Sequence, residues 1–369
     1  MSTTSSISAP AADLSGADTG LTGVPVTDVT LKRRDFASDQ EVRWCPGCGD
    51  YSILSTFQGM LPKLGIKKEN AVVISGIGCS SRFPYYMNTY GMHTIHGRAP
   101  AIATGLAVSR PDLAVFVMTG DGDALSIGGN HLIHAMRRNV NLTILMFNNQ
   151  IYGLTKGQYS PTSEAGSVTK SSPMGSVDYP FNPLSVALGA GCSFVARALD
   201  SDRKGLDETL TTAAHHRGTS FVEIYQNCPI FNDGAFDGYK GPEAAERIVR
   251  LVDGEPILLG ADRSKGVVRD PVNGSLTVTE VAQVGMDHVV VHDATRPDPS
   301  LAFELAHLHD SGQIPQIPLG ILRSVSLPTY DDMVRDQLRL AGGSADDKPA
   351  RDAALQQLLR GNDTWQVHN

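Results

Sequence analysis

The sequence lacks any long apolar run, and no segment approaches the roughly 20 consecutive apolar residues that a membrane-spanning helix requires. Its N-terminus also lacks the charged segment followed by an apolar one that marks a secretion signal. These absences argue against a membrane protein and against an exported one. We therefore expect a cytoplasmic protein with no membrane partner.

Positive charge is scarce as well, since 31 Lys and Arg residues face 39 Asp and Glu residues and the formal net charge is −8. A nucleic-acid surface needs clustered basic groups to neutralise phosphates, so we expect no nucleic-acid partner. The chain has only five cysteines. In a reducing compartment they are more typical of free thiols, metal ligands or redox groups than of a disulfide framework.

The composition changes twice along the chain, which predicts three regions. Residues 1–38 are rich in Ser, Thr, Ala, Gly and Asp with little apolar periodicity, which predicts a flexible N-terminal arm. Residues 39–240 alternate short β-rich runs with helix-compatible stretches, as a catalytic α/β domain does. Residues 241–369 mix polar segments with Pro and Gly, and we interpret them as a C-terminal extension for packing, an interface or regulation.

Near-continuous apolar runs in the middle region predict a doubly wound, mostly parallel sheet covered by helices on both faces. The predicted strands are 71–75, 113–118, 142–147 and 220–225. The predicted helices are about 50–62, 99–109, 124–138, 183–190 and 203–216, then 299–311, 328–341 and 348–360. Glycine and polar residues follow the strands, so a ligand site is expected at that edge of the sheet.

Gly120-Asp121-Gly122 ends one predicted strand, and Asn148-Asn149 ends the next. Glycine permits a close turn, the following helix start offers N–H groups to a phosphate, and Asp121 supplies a hard oxygen for Mg²⁺. Asn149 and the Ile151 carbonyl would add neutral oxygens. A tight turn would explain the first motif alone, but the two motifs together favour a diphosphate and metal site.

Two further loops belong to the same edge of the sheet. Gly76-Ile77-Gly78-Cys79-Ser80-Ser81 follows the first strand and lacks the third glycine of a dinucleotide-binding loop, which favours a loop that approaches the same cofactor. His96-Gly97-Arg98 leads into a predicted helix near the diphosphate. A plain turn at a helix start would also explain the second motif.

Cys45-Pro46-Gly47-Cys48 is compatible with a redox dithiol, half of a zinc knuckle or part of an iron-sulfur site. Cys79 and Cys228 follow strands of the predicted sheet, so three loops could bring four thiolates together. No second CxxC is present, which disfavours a zinc ribbon, and we favour a [4Fe-4S] cluster. Cys192 lies in a small-residue helix end and is interpreted as a packing residue.

Taken together, these motifs resemble the β subunits of 2-oxoacid:ferredoxin oxidoreductases over about residues 40–240. The resemblance rests on Trp44-Cys45-Pro46-Gly47-Cys48-Gly49, Gly78-Cys79-Ser80-Ser81-Arg82, His96-Gly97-Arg98-Ala99, Gly120-Asp121-Gly122-Asp123, Asn148-Asn149-Gln150-Ile151-Tyr152-Gly153 and Cys228-Pro229. The motifs occur in the order of the family. Residues 1–38 and most of the chain after 250 lie outside the resemblance.

The resemblance implies the cofactors and their ligands. Thiamine diphosphate would be bound by Gly78, Ser80, Ser81, His96, Gly97, Arg98, Gly120, Asp121, Gly122, Asp123, Asn149 and Ile151. Mg²⁺ would be held by Asp121, Asn149 and Ile151, and one [4Fe-4S] cluster by Cys45, Cys48, Cys79 and Cys228. The implied reaction is the reversible oxidative decarboxylation of a 2-oxoacid with coenzyme A, with electrons passing through the cluster to ferredoxin.

The resemblance also implies a partner chain. Thiamine activation needs a carboxylate against the aminopyrimidine ring, and the family places that glutamate on an α subunit. We therefore expect an obligate α subunit, an α₂β₂ heterotetramer, and no activity from this chain alone.

The substrate prediction rests on Leu154 and Lys156. Family members that use pyruvate carry a different pattern where this chain has Gly153-Leu154-Thr155-Lys156, and members similar to this chain favour 2-oxoglutarate. A lysine near the thiazolium would pair with the distal carboxylate of 2-oxoglutarate and so favour that substrate. The product from 2-oxoglutarate would be succinyl-CoA. A solvated loop lysine, and therefore pyruvate or a broad 2-oxoacid range, is the alternative.

Two functions of other classes remain open from the sequence. A non-redox thiamine-diphosphate lyase would keep the Gly-Asp-Gly and Asn-Asn motifs without needing four cysteines. A zinc-stabilised scaffold protein would explain the CxxC and leave the other motifs to chance.

Overall fold

The computed structural model describes residues 18–308, 316–342, 347–365 and 367. The strands, in chain order, are β1 (Ala71–Ser75), β2 (Tyr90–His93), β3 (Ala114–Gly120), β4 (Leu142–Asn148), β5 (Ile151–Tyr152), β6 (Gln158–Tyr159), β7 (Phe194–Leu199), β8 (Thr219–Tyr225), β9 (Ile248–Leu251), β10 (Leu258–Leu259), β11 (Lys265–Arg269), β12 (Leu276–Glu280) and β13 (Ile317–Ser324). The helices are α1 (Asp50–Met60), α2 (Ala99–Ser109), α3 (Asp121–Leu125), α4 (Gly129–Arg138), α5 (Pro183–Gly189), α6 (Arg203–His215), α7 (Ala244–Arg247), α8 (Val281–Val284), α9 (Ser300–Ala306), α10 (Tyr330–Gly342) and α11 (Lys348–Arg360). No helix in these ranges is long and apolar enough to cross a membrane.

The central sheet has the strand order β2-β1-β3-β4-β8-β7-β13-β9. Every neighbouring pair is parallel except β7 and β13, which run antiparallel. The mostly parallel, doubly wound α/β sheet is therefore confirmed. All four predicted strands form within two residues of their expected ends.

Alternate residues of the central strands are buried in two hydrophobic cores, one on each face of the sheet. Because both faces are buried, the strand sequences are nearly continuous apolar runs. In β1, Val72 and Ile74 pack on one face with α2, α4, α5 and α9, whereas Ala71 and Val73 pack on the other with α1 and α6. Burying both faces fixes the sheet, so the loops at its edge are held on a rigid support.

The predicted helix 124–138 is two helices, α3 and α4, and this prediction is corrected. The backbone leaves helical geometry at Ser126, where ψ is −98°, and it then passes so close to α3 that a Cβ at Gly128 would lie 2.5 Å from the carbonyl oxygen of Asp123. The break lets the short α3 start directly at the strand end.

The predicted flexible arm is wrong for residues 18–38. Phe36 is completely buried and Val24 nearly so, both in the core beside α1. The Gly20 N–H donates to the His215 carbonyl at 2.8 Å, and Val26 pairs with Ile66. A few apolar side chains thus fasten this polar segment to the domain, while residues 1–17 lie outside the described residues.

The domain boundary predicted at residue 240 is also wrong, because the later chain completes the central sheet. β9 and β13 form one edge of the sheet, and Val267 and Leu276 of the small sheet β10-β11-β12 enter the same core as α2. α10 packs on α2. α11 has no buried residue, so the role of the extreme C-terminal region stays untested.

Candidate functional site

The C-terminal ends of β1, β3 and β4 open into one cleft at the edge of the sheet. It is lined by Ile77, Gly78, Cys79, Ser80, His96, Gly120, Asp121, Gly122, Asp123, Ile127, Phe147, Asn149, Ile151, Tyr152, Gly153, Leu154 and Thr155. Parallel neighbours end at the same edge, so residues far apart in sequence meet there. The cleft gathers most of the predicted cofactor residues.

Asp121 starts α3 at the floor of the cleft and is buried. Its Oδ2 accepts hydrogen bonds from the Ser160 hydroxyl at 2.5 Å and the Thr162 hydroxyl at 2.6 Å. Burial raises the pKa of Asp121 to about 6, against the opposing effect of the two hydroxyls. Because both hydroxyls donate to Oδ2, neither occupies Oδ1, and a cation at Oδ1 would relieve the cost of burial.

Asn149 and Ile151 leave β4 in a tight turn beside Asp121. The Asn149 amide oxygen accepts from the Ile151 N–H at 3.2 Å, and its NH₂ donates to Gln226 Oε1 at 3.0 Å. One carboxylate with neutral amide and carbonyl oxygens is a donor set that Mg²⁺ accepts. No group of three or more His, Cys, Asp or Glu side chains surrounds a single-ion position in the described ranges.

Asp123 fastens three segments of the cleft together. It accepts hydrogen bonds from the Gly97 N–H at 2.7 Å, the Ile77 N–H at 3.2 Å and the Thr119 hydroxyl at 2.7 Å. A Cβ at Gly76 would lie 1.8 Å from Asp123 Oδ2, so the glycine is required there. The contacts of this predicted cofactor residue show that it holds the loops in place.

The other predicted loop residues divide between the cleft and its supports. Ser80 and the exposed His96 line the cleft, whereas Ser81 is buried beneath it and its carbonyl accepts from the Ser75 hydroxyl at 2.8 Å. Arg98 does not line the cleft and contacts the His131 ring instead.

The four predicted cluster cysteines interact electrostatically at one side of the cleft, Cys79 with Cys45 and Cys228, and Cys48 with Cys228. Cys79 and Cys228 place their sulfurs 3.6 and 3.7 Å from the position of a Cβ on Gly153. Cys48 accepts a hydrogen bond from Gln226 Nε2 at 3.2 Å. Burial, the Asp50 carboxylate and the thiols of Cys228 and Cys45 raise the pKa of Cys79 to about 11.

A buried carboxylate and a group of aromatic rings surround the cysteines. Asp50 is buried, neither of its carboxylate oxygens has an N–H or O–H partner in the described residues, and burial raises its pKa to about 7. Trp44 packs against Tyr51 and Tyr86, and its indole N–H donates to the Cys79 carbonyl at 2.7 Å. Cys45 is exposed, whereas Cys192 is buried in the hydrophobic core.

Comparison with known proteins places these features in a family. Residues 76–224 match the model of the thiamine pyrophosphate enzyme C-terminal TPP-binding domain. The 2-oxoglutarate oxidoreductase subunit KorB of Mycobacterium tuberculosis is 60% identical over 362 residues, covering 96% of this chain and 95% of that protein. The chain belongs to the KorB family of 2-oxoacid:ferredoxin oxidoreductase β subunits.

Two other similarities extend over most of this KorB-family chain. The 2-oxoglutarate synthase subunit KorB of Methanothermobacter thermautotrophicus is 37% identical over 267 residues, covering 72% of this chain and 87% of that protein. The solved structure of 2-oxoglutarate:ferredoxin oxidoreductase from Magnetococcus marinus, with 2-oxoglutarate, coenzyme A and succinyl-CoA bound, superposes with a TM-score of 0.71. That match is 34% identical and covers 90% of this chain and 99% of the other.

The structure separates the two predicted substrate residues of this KorB-family chain. Leu154 is half exposed and lines the cleft. Lys156 is exposed, has a positive φ of 82°, and is not among the cleft-lining residues. The pairing of Lys156 with a substrate carboxylate stays a prediction.

Sequence reasoning missed three residues that shape the cleft of this KorB-family chain. Tyr152 packs on Gly122, while Ser160 and Thr162 hold Asp121. Tyr152 lies within a recognised motif and could have been inferred from it. Ser160 and Thr162 lie in a segment without helical or strand periodicity, which carries no such signal.

Proposed function

We propose that this chain is the thiamine-diphosphate-binding and cluster-carrying catalytic β subunit of a 2-oxoglutarate:ferredoxin oxidoreductase. The observation that carries the proposal is the position of Gly153 between the cleft and two of the cysteines. Gly153 lines the cleft of Asp121 and Asn149, and a Cβ on it would contact both the Cys79 and Cys228 sulfurs. A site for carbon chemistry and a set of thiols suited to electron transfer therefore adjoin within one chain.

Within the cleft, the residues fit a diphosphate cofactor with its metal. Asp121, Asn149 and the Ile151 carbonyl would hold Mg²⁺, and the glycines after β1 and β3 leave backbone room for the diphosphate. When bound, thiamine diphosphate supplies the carbanion chemistry that decarboxylates a 2-oxoacid. The buried setting of Asp121 supports this role, because an unpaired buried carboxylate is costly and a cation offsets that cost.

The four cysteines Cys45, Cys48, Cys79 and Cys228 support an iron-sulfur cluster better than the two alternatives. A redox dithiol would use the two thiols of the CxxC alone, whereas Cys79 and Cys228 lie together beside Gly153 and Cys228 also interacts with Cys48. Zinc needs its sulfurs around a single ion, an arrangement absent from the described residues. Iron would hold such thiols deprotonated at a larger sulfur spacing.

The substrate proposal follows the relatives, several of which are named for 2-oxoglutarate. 2-Oxoglutarate and coenzyme A would give succinyl-CoA and CO₂, and two electrons would leave singly through the cluster to oxidised ferredoxin. Leu154 at the cleft is the residue of the predicted substrate segment best placed to select among 2-oxoacids.

An α subunit is proposed as the obligate partner. The carboxylates that line the described cleft are Asp121 and Asp123, and both already accept hydrogen bonds. No glutamate lines it, so the group that activates the aminopyrimidine ring would come from another chain. An α₂β₂ assembly and reduction of ferredoxin belong to the same proposal.

Anaerobic co-purification with the candidate α subunit tests the proposal. The complex should be brown, contain thiamine diphosphate and iron, and reduce a viologen dye in the presence of coenzyme A and 2-oxoglutarate. A preference for pyruvate would refute 2-oxoglutarate as the substrate and would leave the family membership unaffected. A brown complex without coenzyme A dependence, or a colourless one, would contradict the proposed reaction.

A further inference from the structure

A buried ion pair lies outside all the motifs, on two neighbouring strands of the central sheet. Glu223 of β8 is completely buried, and its Oε2 accepts from Arg197 Nε of β7 at 2.7 Å. Arg197 is also buried and its guanidinium lies over the Tyr225 ring. Burying two charges costs free energy that their mutual attraction only partly recovers, so stability alone does not account for this pair.

The second carboxylate oxygen of Glu223 faces the first asparagine of the Asn-Asn motif. Asn148 Nδ2 donates to Glu223 Oε1 at 2.7 Å. A carboxylate held by an arginine only accepts hydrogen bonds, so it fixes which end of the Asn148 amide points toward it. The Asn148 oxygen must then point the opposite way.

Two hydrogen-bond donors beside the proposed metal site contact the Asn148 side-chain oxygen. Asn148 Oδ1 accepts from the Gln150 N–H at 3.2 Å and from the Thr162 hydroxyl at 2.9 Å. Gln150 has a positive φ of 56°, an unfavourable conformation for a side chain with a Cβ, and the contact helps to hold it. This turn presents Asn149 and Ile151, and the Thr162 hydroxyl also contacts Asp121.

We propose that Glu223, held by Arg197, is a positioning residue that sets the orientation of the Asn148 amide and thereby the turn of the metal and diphosphate site. The inference rests on the proposed function and deepens it. Reversal of the Asn148 amide would place an NH₂ group against the Gln150 N–H. The turn would then lose the contact that steadies its strained residue.

Glu223→Gln is the main test, because the side chain keeps its shape while a donor replaces one acceptor. The readout is a calorimetric titration of Mg²⁺ into the metal-stripped αβ complex at saturating thiamine diphosphate. We expect the Kd for Mg²⁺ to rise by up to about tenfold, the lower end of the range found when a direct partner of a metal ligand is removed, because Glu223 acts on the ligands through Asn148. Arg197→Lys keeps a cation beside Glu223, so its Kd should change much less.

A matched control separates positioning from general loss of stability. Ser193→Ala removes a buried hydroxyl just before β7, which donates a hydrogen bond to the Asn139 side chain away from the cleft. Its melting temperature should fall while its Kd for Mg²⁺ stays at the wild-type value. If Glu223→Gln does not fold, Asn148→Ser removes the oriented amide and should raise the Kd in the same way.

Wild-type affinity in Glu223→Gln, or in Asn148→Ser where that variant is used, would overturn the inference. A rise in Kd of the same size in Ser193→Ala would also overturn it, because the effect would then be general. If the wild-type complex shows no Mg²⁺-dependent binding of thiamine diphosphate, the proposed function itself fails. The two failures are therefore distinguishable.

Discussion

The Tyr152 ring occupies the space where a side chain on Gly122 would lie. A Cβ at Gly122 would be 2.1 Å from Tyr152 Cε1, and the Tyr152 hydroxyl donates to the Gly122 carbonyl at 3.3 Å. The ring thus closes over the Gly-Asp-Gly turn from the neighbouring strand end. Gly122 is needed for this close approach, independently of any backbone strain.

Gly122→Ala should therefore destabilise the protein and weaken cofactor binding. The added methyl must displace the Tyr152 ring, and overpacking of this kind costs roughly 1–3 kcal/mol. Urea unfolding and a thiamine diphosphate titration measure the two effects. Gly105→Ala is the control, because nothing lies within 4 Å of its added Cβ in α2, and helix propensity there favours Ala by about 1 kcal/mol. Equal behaviour of the two variants would refute the steric argument.

Asp123→Ala should lower stability because it leaves the N–H groups of Gly97 and Ile77 and the Thr119 hydroxyl without their acceptor. Hydrogen bonds to a charged group contribute about 1.5–3 kcal/mol each, and we expect a loss of at least that size in denaturant unfolding. Asp112→Ala is matched in chemistry and removes only a surface pair with Arg110. A solvent-exposed pair of this kind contributes little to stability. A similar loss in both variants would be evidence against a fastening role.

The sequence predicts the strands whose residues are all buried. It does not predict strands that contain a charge, proline or glycine and depend on a distant segment for their pairing. β1, β3, β4 and β8 are apolar on both faces, so their residues alone mark them. β7 was missed because Arg197 interrupts its apolar run, and the charge is tolerated only through Glu223 on β8. β13 contains Pro318 and Gly320, and its antiparallel pairing with β7 depends on a segment over a hundred residues away.

The site shows the same division. The sequence was sufficient to predict that Asp121, Asn149 and Ile151 lie close together, because the ends of adjacent parallel strands meet at one edge of the sheet. The positions of the Ser160 and Thr162 hydroxyls could not be predicted, since an irregular segment carries no periodic signal that places it against α3. Glu223 was hidden for another reason, because a single charge within a strand gives no hint of its partner.

His216 should make the folded state sensitive to mild acid. Burial lowers its pKa to about 4 from an ordinary value of 6.5. Between these values the unfolded chain binds a proton that the folded chain does not, so stability falls as the pH falls, by up to roughly 3 kcal/mol below pH 4. Urea unfolding at several pH values should show a smaller decrease in His216→Gln than in wild type. Parallel pH profiles for the two proteins would contradict the assignment.

Cys228→Ser and Cys192→Ser distinguish the proposed cluster ligands from a packing thiol. Cys228 lies beside Cys79 at the cleft, so its loss should remove the brown colour, the bound iron and viologen reduction by the αβ complex. Cys192 is buried and contacts the Phe194 and Thr219 carbonyls, which a serine hydroxyl can also reach, so Cys192→Ser should keep its iron and lose only some stability. Iron and acid-labile sulfide are measured per β chain after anaerobic purification, with melting temperatures alongside. Full iron in Cys228→Ser would exclude it as a ligand, and loss of iron in a folded Cys192→Ser protein would place the cluster against the core instead.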